Sequence, residues 1–420
     1  MSILIEEVLL NGKRRNILIE GKHIVSLDAR KSADIVIDGR NKAAIPGLIN
    51  THTHAAMSLF RGYADDMRLH DWLSSKIWPL EQSLKPEHIY WGTKLACLEM
   101  IKSGTTCFND MYFFMEEAAR AAEDMGMRAV LGEGFVDSMN PDVGKREFSK
   151  SVRLVESILS MKNDRIIPAL GPHAIYTVSS ESLQIVSEYA EKKDLLIHFH
   201  LSETEEEVNS CVERYGKRPV EFLEDIGFLS PRLIAAHSVW LNRKEIETLR
   251  KHDVKVSYNP VSNMKLAVGR AMPYEEMREA GVLVSLGTDG CASNNSLDML
   301  ETMKFAALYQ KAFVGDPTIL PAKDVVDLAA ENGAKTLGLD AGGIAPGKLA
   351  DLVLIDLKMP QFQPGHNIIS DLVYSATGAC VDTVICDGRT LMRDRTVEGE
   401  EEILNKAREA ATDLVGESRT

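Results

Sequence analysis

Short apolar runs recur along the middle of the chain and alternate with stretches of helical periodicity. Gly104, Gly126 and Gly281 stand where such helices should end. The apolar runs lie near residues 43–50, 105–110, 128–134, 165–171, 195–200, 233–237, 255–259 and 282–287. Eight strands that alternate with helices are the number that a closed β/α barrel needs. The pattern therefore predicts an α/β fold with a (β/α)8 TIM-type barrel over residues 45–344.

The two ends of the chain have a different texture. Residues 3–44 alternate apolar and polar positions around turn dipeptides such as Asn11-Gly12, and the same alternation returns in 348–356 and 381–388. We expect these strands to pair into one small, discontinuous β-sandwich made of residues 1–44 plus 345–398. The charged segment 399–420 predicts a terminal helix.

Composition and charge exclude several classes of protein. A chain of 420 residues with 45% hydrophobic content suits a barrel plus a smaller second unit. A net charge of −14 argues against nucleic acid as a partner. Charge appears as early as Glu6, which argues against a signal peptide. No apolar run approaches the roughly 20 residues of a membrane span. The six cysteines form no C-x-x-C pair. These features predict a cytoplasmic protein without a membrane segment, a disulfide framework or a thiolate metal site.

Candidate metal ligands follow the first apolar run. His52 and His54 are two residues apart, so both side chains lie on one face of a strand and can reach one point. Two imidazoles at one point suggest a divalent metal, although a chance pair in a loop is the alternative. Polar groups also stand at or just past the ends of three later runs, where a β/α barrel keeps its catalytic residues. They are His200 with Glu203, His237, and Asp289.

Taken together, these six residues resemble the amidohydrolase superfamily in residue type, order and strand-end placement. The phrase Pro346-Gly-Lys-Leu-Ala-Asp-Leu-Val is one of its recurring signatures. The resemblance implies the same arrangement of a barrel beside a discontinuous β domain. It also implies homo-oligomers, because relatives are commonly dimers or tetramers.

The resemblance implies a site for one divalent metal held by His52, His54, His200 and Asp289. This nitrogen and oxygen donor set suits Zn²⁺, with Fe²⁺ as the alternative. Superfamily members with two metals place a bridging lysine or glutamate at the end of the fourth strand, whereas this strand ends at His173. A bound metal lowers the pKa of a water from about 16 toward about 7, which provides hydroxide at neutral pH.

The H-x-x-E arrangement of His200 and Glu203 resembles that of the deaminase branch of the superfamily. There a glutamate that is not a ligand acts as general acid and base on a ring nitrogen. By the same resemblance Asp289 takes the proton of the attacking water, and His237 orients the hydroxide and stabilises the tetrahedral intermediate. The alternatives are a packing histidine at 237 and, because Glu203 opens an acidic run, a solvated helix face.

The loop after the first strand suggests the substrate. Its segment 71–81 resembles the one with which 5′-methylthioadenosine and S-adenosylhomocysteine deaminases bind the nucleoside. By this resemblance Trp72 packs on the ligand and Glu81 accepts hydrogen bonds from both ribose hydroxyls. His173 matches a family histidine that contacts the nucleoside, and Ser293 matches another pocket residue. An ordinary amphipathic lid is the alternative for this segment.

The 5′ side of the substrate site departs from the family pattern. Family members that bind the S-adenosylhomocysteine carboxylate use arginines after the third strand. Here Glu133 and Asp137 occupy that neighbourhood, and Arg146 is the substitute that we expect to bind substrate. Acidic groups disfavour a carboxylate. The expected reaction is therefore hydrolytic deamination of the 6-amino group of 5′-deoxyadenosine or 5′-methylthioadenosine to the inosine derivative and ammonia, with S-adenosylhomocysteine and adenosine as broader substrates.

Two rival interpretations use the same scaffold. A deaminase or chlorohydrolase of a free base or triazine keeps the metal site but needs no ribose clamp, so Glu81 discriminates it. A non-catalytic assembly module is the other rival, which the complete set of candidate ligands disfavours.

Overall fold

The strands of the computed structural model fall into two sheets, and the structure describes residues 1–29 and 31–417. In chain order the strands are β1 Ser2–Leu10, β2 Lys13–Glu20, β3 His23–Ser26, β4 Ile35–Asp38, β5 Lys42–Pro46, β6 Leu48–Thr53, β7 Thr105–Tyr112, β8 Arg128–Phe135, β9 Ile166–Pro172, β10 Leu196–Leu201, β11 Leu233–His237, β12 Lys255–Tyr258, β13 Val284–Leu286, β14 Leu352–Asp356, β15 Val381–Cys386 and β16 Arg389–Met392.

Strands β6 to β13 form the barrel in chain order, and each pairs in parallel with the next. The last strand returns to the first, because the backbone N–H groups of Thr288 and Asp289 donate to the carbonyl oxygen of His52 at 3.1 and 3.0 Å. All eight strands predicted from the apolar runs are present. The (β/α)8 architecture is confirmed.

The terminal sheet joins both ends of the chain, as predicted. Its order is β16-β15-β14-β5-β1-β2-β3, with β4 beside β1, so the expected sandwich is one hydrogen-bonded sheet. It has its own apolar core, which includes Ile5, Ile19 and Leu352. The ranges 1–44 plus 345–398, 45–344 and 399–420 stay a prediction of the domain limits.

The predicted run 43–50 is two strands, because Gly47 separates β5 in the terminal sheet from β6 in the barrel. The N–H of Gly47 donates to the carbonyl oxygen of Asp351 at 2.9 Å, and a Cβ at this position would collide with the side chain of Thr106. Only glycine fits where the chain leaves one sheet and enters the other. Apolar patterning could not show this break.

Helices lie between most of the barrel strands and cover the barrel. They are α1 Leu69–Trp72, α2 Trp78–Glu81, α3 Pro86–Lys102, α4 Met115–Asp124, α5 Pro141–Met161, α6 Ser180–Lys193, α7 Glu205–Tyr215, α8 Pro219–Asp225, α9 Arg243–Lys251, α10 Pro260–Lys265, α11 Tyr274–Ala280, α12 Met299–Val314, α13 Ala322–Ala329, α14 Glu331–Thr336, α15 Ile368–Tyr374 and α16 Glu400–Glu417. As predicted, Gly104, Gly126 and Gly281 follow helices with positive φ. Among the described residues, none of these helices combines the length and apolarity of a membrane span.

A buried ion network fixes the terminal sheet to the barrel. Arg128, at the start of β8, donates from Nε to Asp351 and from Nη2 to Asp387, each at 3.0 Å. Its side chain is only 3% exposed. Both partners belong to the segments around β14 and β15, so this guanidinium connects the two sheets through fully oriented charge-assisted hydrogen bonds.

Candidate active site

The carboxyl ends of three barrel strands bring the predicted ligands together. His52 lies in β6 and His54 directly after it, His200 lies in β10, and Asp289 follows β13. Nε2 of His52 and Nε2 of His54 each lie 3.3 Å from Oδ1 of Asp289. Nε2 of His200 lies 3.3 Å from Nε2 of His54. Residues remote in sequence thus present their donor atoms to one centre.

These separations fit a metal site. Ligand atoms bound tetrahedrally to zinc at about 2.1 Å lie about 3.4 Å from one another. In addition, Nε2 of His52 is buried and has no hydrogen-bond partner in the described structure, although a buried polar atom is normally satisfied. His237 also offers a ring nitrogen within 4.8 Å of the donor atoms of His52 and Asp289. The donor set therefore fits one divalent cation.

The ring nitrogens that face away from the centre are held by hydrogen bonds. His54 Nδ1 meets the carbonyl oxygen of Met111 at 2.7 Å, and His200 Nδ1 meets that of His173 at 2.9 Å. A carbonyl can only accept, so it holds the proton on Nδ1 and leaves Nε2 as the ligand atom. Burial lowers the pKa of His54 to about 4 and that of His200 well below its ordinary value. Both rings are neutral at neutral pH, as ligands must be.

The carboxylate of Asp289 is held by three donors. Ser262 Oγ and Ser293 Oγ donate to Oδ2 at 2.6 and 2.8 Å, and the N–H of Gly290 donates to Oδ1 at 2.8 Å. Asp289 itself has a φ of 62°, a left-handed conformation that Asp adopts more readily than most residues and that also occurs at functional sites. The predicted pocket residue Ser293 does line the cavity, and it also orients Asp289.

Glu203 lies in the cavity and not on a solvated helix face. It follows β10, precedes α7 and is only 8% exposed. The carboxylate of Glu207 accepts the backbone N–H groups of Ser202 and Glu203 at 2.7 and 2.8 Å, which fixes this turn. Burial, together with the nearby Asp289 and Glu207 carboxylates, raises the pKa of Glu203 well above its ordinary value. Glu203 is thereby suited to carry a proton at neutral pH.

His237 ends β11 with a φ of 68°, and its ring faces the same centre. Asn263 Nδ2 lies 2.9 Å from Nδ1 of His237, and Oε1 of Glu203 lies 3.5 Å from the same nitrogen. Burial lowers the pKa of His237 to about 3. With Nδ1 engaged, Nε2 is the nitrogen left to face a substrate. The His237 ring is thus held by hydrogen bonds and directed at the site, which argues against a histidine that serves only in packing.

A cavity of about 340 Å³ opens above these side chains. Aromatic residues form much of its wall, as is common in pockets for small molecules. The wall includes Trp72, Trp78, Tyr112, Phe113, Phe135, His173 and Tyr176. Burial lowers the pKa of His173 to about 4, so this ring is neutral. The loop after the first barrel strand supplies Trp72 and Glu81 to this wall.

Glu81 lies at the end of a helical segment that contains a π turn, Leu73–Ile77. Such turns often occur at functional sites. The Tyr112 hydroxyl donates to Oε1 of Glu81 at 2.6 Å. Burial raises the pKa of Glu81 to about 7, against the effect of that hydrogen bond. The loop therefore brings a buried carboxylate to the cavity wall, where a polar substrate group can meet it.

The structure contradicts the prediction that Arg146 binds substrate. Arg146 lies on the outer face of α5, its side chain is 70% exposed, and its Nε lies 3.6 Å from Glu147 Oε1. The acidic patch is also wrong as a description of the cavity. Glu133 accepts the backbone N–H groups at the start of α4, and the buried Asp137 is held by Ser179. Neither carboxylate lines the cavity.

Four residues at the site were missed by sequence reasoning. Tyr112 binds Glu81, Ser262 binds Asp289, and Asn263 binds His237. The fourth, His198, lies 2.6 Å from His52. A signal existed for His198, because it stands two residues before His200 in the same spacing as His52 and His54. Ser262 and Asn263 follow the end of the seventh barrel strand, which is also where catalytic residues are expected.

The chain belongs to the amidohydrolase family, whose sequence model matches residues 43–391. It is similar to the 5′-deoxyadenosine deaminase of Methanoregula boonei, with 54% identity over 93% of this chain and 88% of that relative. The 5-methylthioadenosine/S-adenosylhomocysteine deaminase 1 of Archaeoglobus fulgidus is 52% identical over 96% of this chain and 95% of its own.

A solved structure shares nearly the whole fold. It is an adenosine deaminase from Xanthomonas campestris with bound zinc, with a TM-score of 0.93, 33% identity and coverage of 99% of this chain and 98% of that one. The resemblance inferred from the strand-end residues is confirmed. The chain is a metal-dependent hydrolase that acts on carbon–nitrogen bonds.

Proposed function

We propose that this chain hydrolytically removes the 6-amino group of adenosine derivatives, with 5′-deoxyadenosine and 5′-methylthioadenosine as its preferred substrates. The observation that carries the proposal is the position of Glu203, buried beside the histidine and aspartate cluster at the floor of an aromatic cavity. Two relatives at 52–54% identity have names that specify deamination of such nucleosides. The products are the inosine derivative and ammonia.

His52, His54, His200 and Asp289 would hold the metal, and we propose zinc, which suits a donor set of three imidazoles and one carboxylate. The similar solved structure is described with bound zinc. When bound, the metal supplies Lewis acidity that makes water a nucleophile at neutral pH. As with many relatives, we expect a homo-oligomer.

The residues of the chain then move the protons. Glu203 donates its proton to a ring nitrogen next to the attacked carbon, while Asp289 accepts a proton from the attacking water. His237 donates from Nε2 to the oxygen that adds to C6 and stabilises the negative charge there. The amino group receives the proton that Asp289 took from the water and leaves as ammonia, while the C6 hydroxyl returns a proton to Glu203, so one water is consumed for each nucleoside.

The cavity wall supports a nucleoside with a small uncharged 5′ group. Glu81 offers two oxygens to a ribose diol, and Trp72 offers an apolar face. No Arg or Lys is found among the described residues that line the cavity, but Lys150 and Arg153 line the adjoining cavity, which shares Trp78 and Glu81 with it. A small uncharged 5′ group needs neither cation, whereas the carboxylate of an amino-acid tail loses hydration unless it reaches one of them.

A panel of nucleosides tests the proposal. We expect the highest kcat/KM for 5′-deoxyadenosine and 5′-methylthioadenosine, a lower value for S-adenosylhomocysteine and adenosine, and the lowest for free adenine. The blue shift of the adenine absorbance on conversion to the inosine product measures each rate. Faster turnover of free adenine or of a triazine than of every nucleoside would contradict the proposal.

Replacing Glu81 by Ala tests the ribose clamp. We expect KM for 5′-methylthioadenosine to rise about 10–100-fold, which corresponds to the loss of hydrogen bonds to a charged acceptor, while any activity on free adenine changes little. Steady-state kinetics on both substrates measure the difference. Glu87→Ala, which removes an exposed carboxylate on α3, should leave both values unchanged.

The pH dependence of KM, compared between the wild type and Glu81→Gln, gives a second test of the ribose clamp. The ionised carboxylate is the form that accepts both hydroxyls, and the pKa of Glu81 is raised to about 7. KM for the nucleoside should therefore rise as the pH falls through 7, and this component should disappear in Glu81→Gln. If Glu81→Ala lost activity equally on 5′-methylthioadenosine and on free adenine, Glu81 would not be the residue that binds the ribose.

A further inference from the structure

His52 differs from the other two candidate ligand histidines in what holds its ring. His54 and His200 both direct Nδ1 at backbone carbonyl oxygens. Nδ1 of His52 instead lies 2.6 Å from Nε2 of His198, which is a side chain. A carbonyl can only accept, whereas an imidazole can accept or donate. The tautomer of His52 is therefore set by a second histidine and not by the backbone.

His198 is placed for this contact by its strand. It lies two residues before His200 in β10, so both rings project into the barrel. His198 and His52 are each fully buried, and their ring centroids lie 4.8 Å apart with planes at 88°. The edge of one ring thus points at a nitrogen of the other. Solvent cannot replace this hydrogen bond.

The direction of the hydrogen bond follows from what His52 must do. Its Nε2 faces the donor atoms of the metal site and has no hydrogen-bond partner among the residues that the structure describes. A ligand nitrogen carries no proton, so the proton of a neutral His52 lies on Nδ1. Nε2 of His198 must then be the acceptor, and the proton of His198 lies on its own Nδ1, which is buried without a hydrogen-bond partner among the described residues.

We infer that His198 is a positioning residue that accepts the Nδ1–H of His52 and so presents Nε2 of His52 to the metal. This inference rests on the metal site of the proposed function. Hydrogen-bond partners of metal-bound histidines typically contribute 10–100-fold to metal affinity or activity. Because two of the three ligand histidines use backbone acceptors, His198 is the partner that a substitution can remove.

Zinc affinity tests the inference directly. The zinc dissociation constants of the wild-type protein, His198→Leu and His198→Gln are measured by competition with a chromogenic chelator. We expect Leu to weaken zinc binding about 10–100-fold and Gln, whose Oε1 can accept the same proton, to restore much of the affinity. His88→Leu is the matched control, since His88 is also buried but bonds Asp413 far along the chain. Its affinity should equal that of the wild type.

The histidine tautomers give a readout that needs no folded variant. In ¹⁵N spectra of the zinc-loaded wild-type protein, His198 should carry its proton on Nδ1. A proton on Nε2 of His198, or equal zinc affinity in His198→Leu and wild type, would overturn the positioning role alone. Failure of the wild-type protein to bind zinc would overturn the proposed metal centre as well.

Discussion

Glu203→Gln is expected to lower kcat about 10²–10⁴-fold on 5′-deoxyadenosine while the protein keeps its metal. Gln has nearly the same shape but cannot transfer a proton to the ring nitrogen. Glu203 is not one of the residues whose donor atoms cluster at the metal site, so its replacement should leave metal binding intact. Initial rates from the adenine absorbance and metal content from elemental analysis measure the two effects together.

The matched control for this variant is Glu206→Gln. Glu206 belongs to the same acidic run but is exposed, so its replacement should leave kcat within about twofold of the wild type, as for most surface changes. A Glu203→Gln protein that keeps its metal and retains nearly full activity would exclude Glu203 as the proton donor. Loss of metal in that variant would instead make Glu203 part of the metal site.

Removal of the metal is expected to abolish deamination, and zinc should restore it. Without the cation, water at its ordinary pKa of about 16 is a poor nucleophile at neutral pH. Activity of the chelator-treated protein should rise linearly with added zinc and reach a plateau at one equivalent per chain. That stoichiometry follows because the two groups of candidate ligands among the described residues share His52 and so form one centre.

The titration distinguishes one metal from two. A plateau at two equivalents would contradict the one-metal site, which we infer because His173, and not a bridging lysine or glutamate, follows β9. Full activity in the metal-free protein would contradict the hydrolytic proposal. Unchanged helix content by circular dichroism before and after chelation is the control for unfolding.

Much of the fold was predictable because strand-end chemistry and apolar runs are local signals. The runs that precede His52, His200 and His237 gave both the strand and the point at which its polar residue emerges. In a parallel barrel all such ends meet at one face, so the order of strands was enough to place these residues together. The break at Gly47 was missed because both flanking strands are apolar.

The substrate side was less predictable because sequence proximity does not fix the direction of a side chain. Glu133 lies within barrel strand β8, yet its carboxylate accepts the N–H groups that begin α4 and does not face the cavity. Asp137 lies in the next loop, but its carboxylate accepts a hydrogen bond from the Ser179 hydroxyl. Arg146 falls on the outward face of α5. The sequence shows that these three residues lie near the end of the third barrel strand. It does not show where their side chains point, because that depends on tertiary partners.

The partners of the ligands were missed for a related reason. His198 and Asn263 contact residues that lie 146 and 26 positions away, His52 and His237 respectively. A hydrogen bond of this kind has no local pattern. What the sequence offered was the strand-end position of each residue, which selects candidates but does not pair them.

Anomalous diffraction at the zinc absorption edge is the most direct test of the central claim. For crystals of the zinc-loaded protein, we expect one strong peak per chain, at bonding distance from Nε2 of His52, His54 and His200 and from a carboxylate oxygen of Asp289. A map with two peaks in the barrel, or with its peak away from these four side chains, would contradict it.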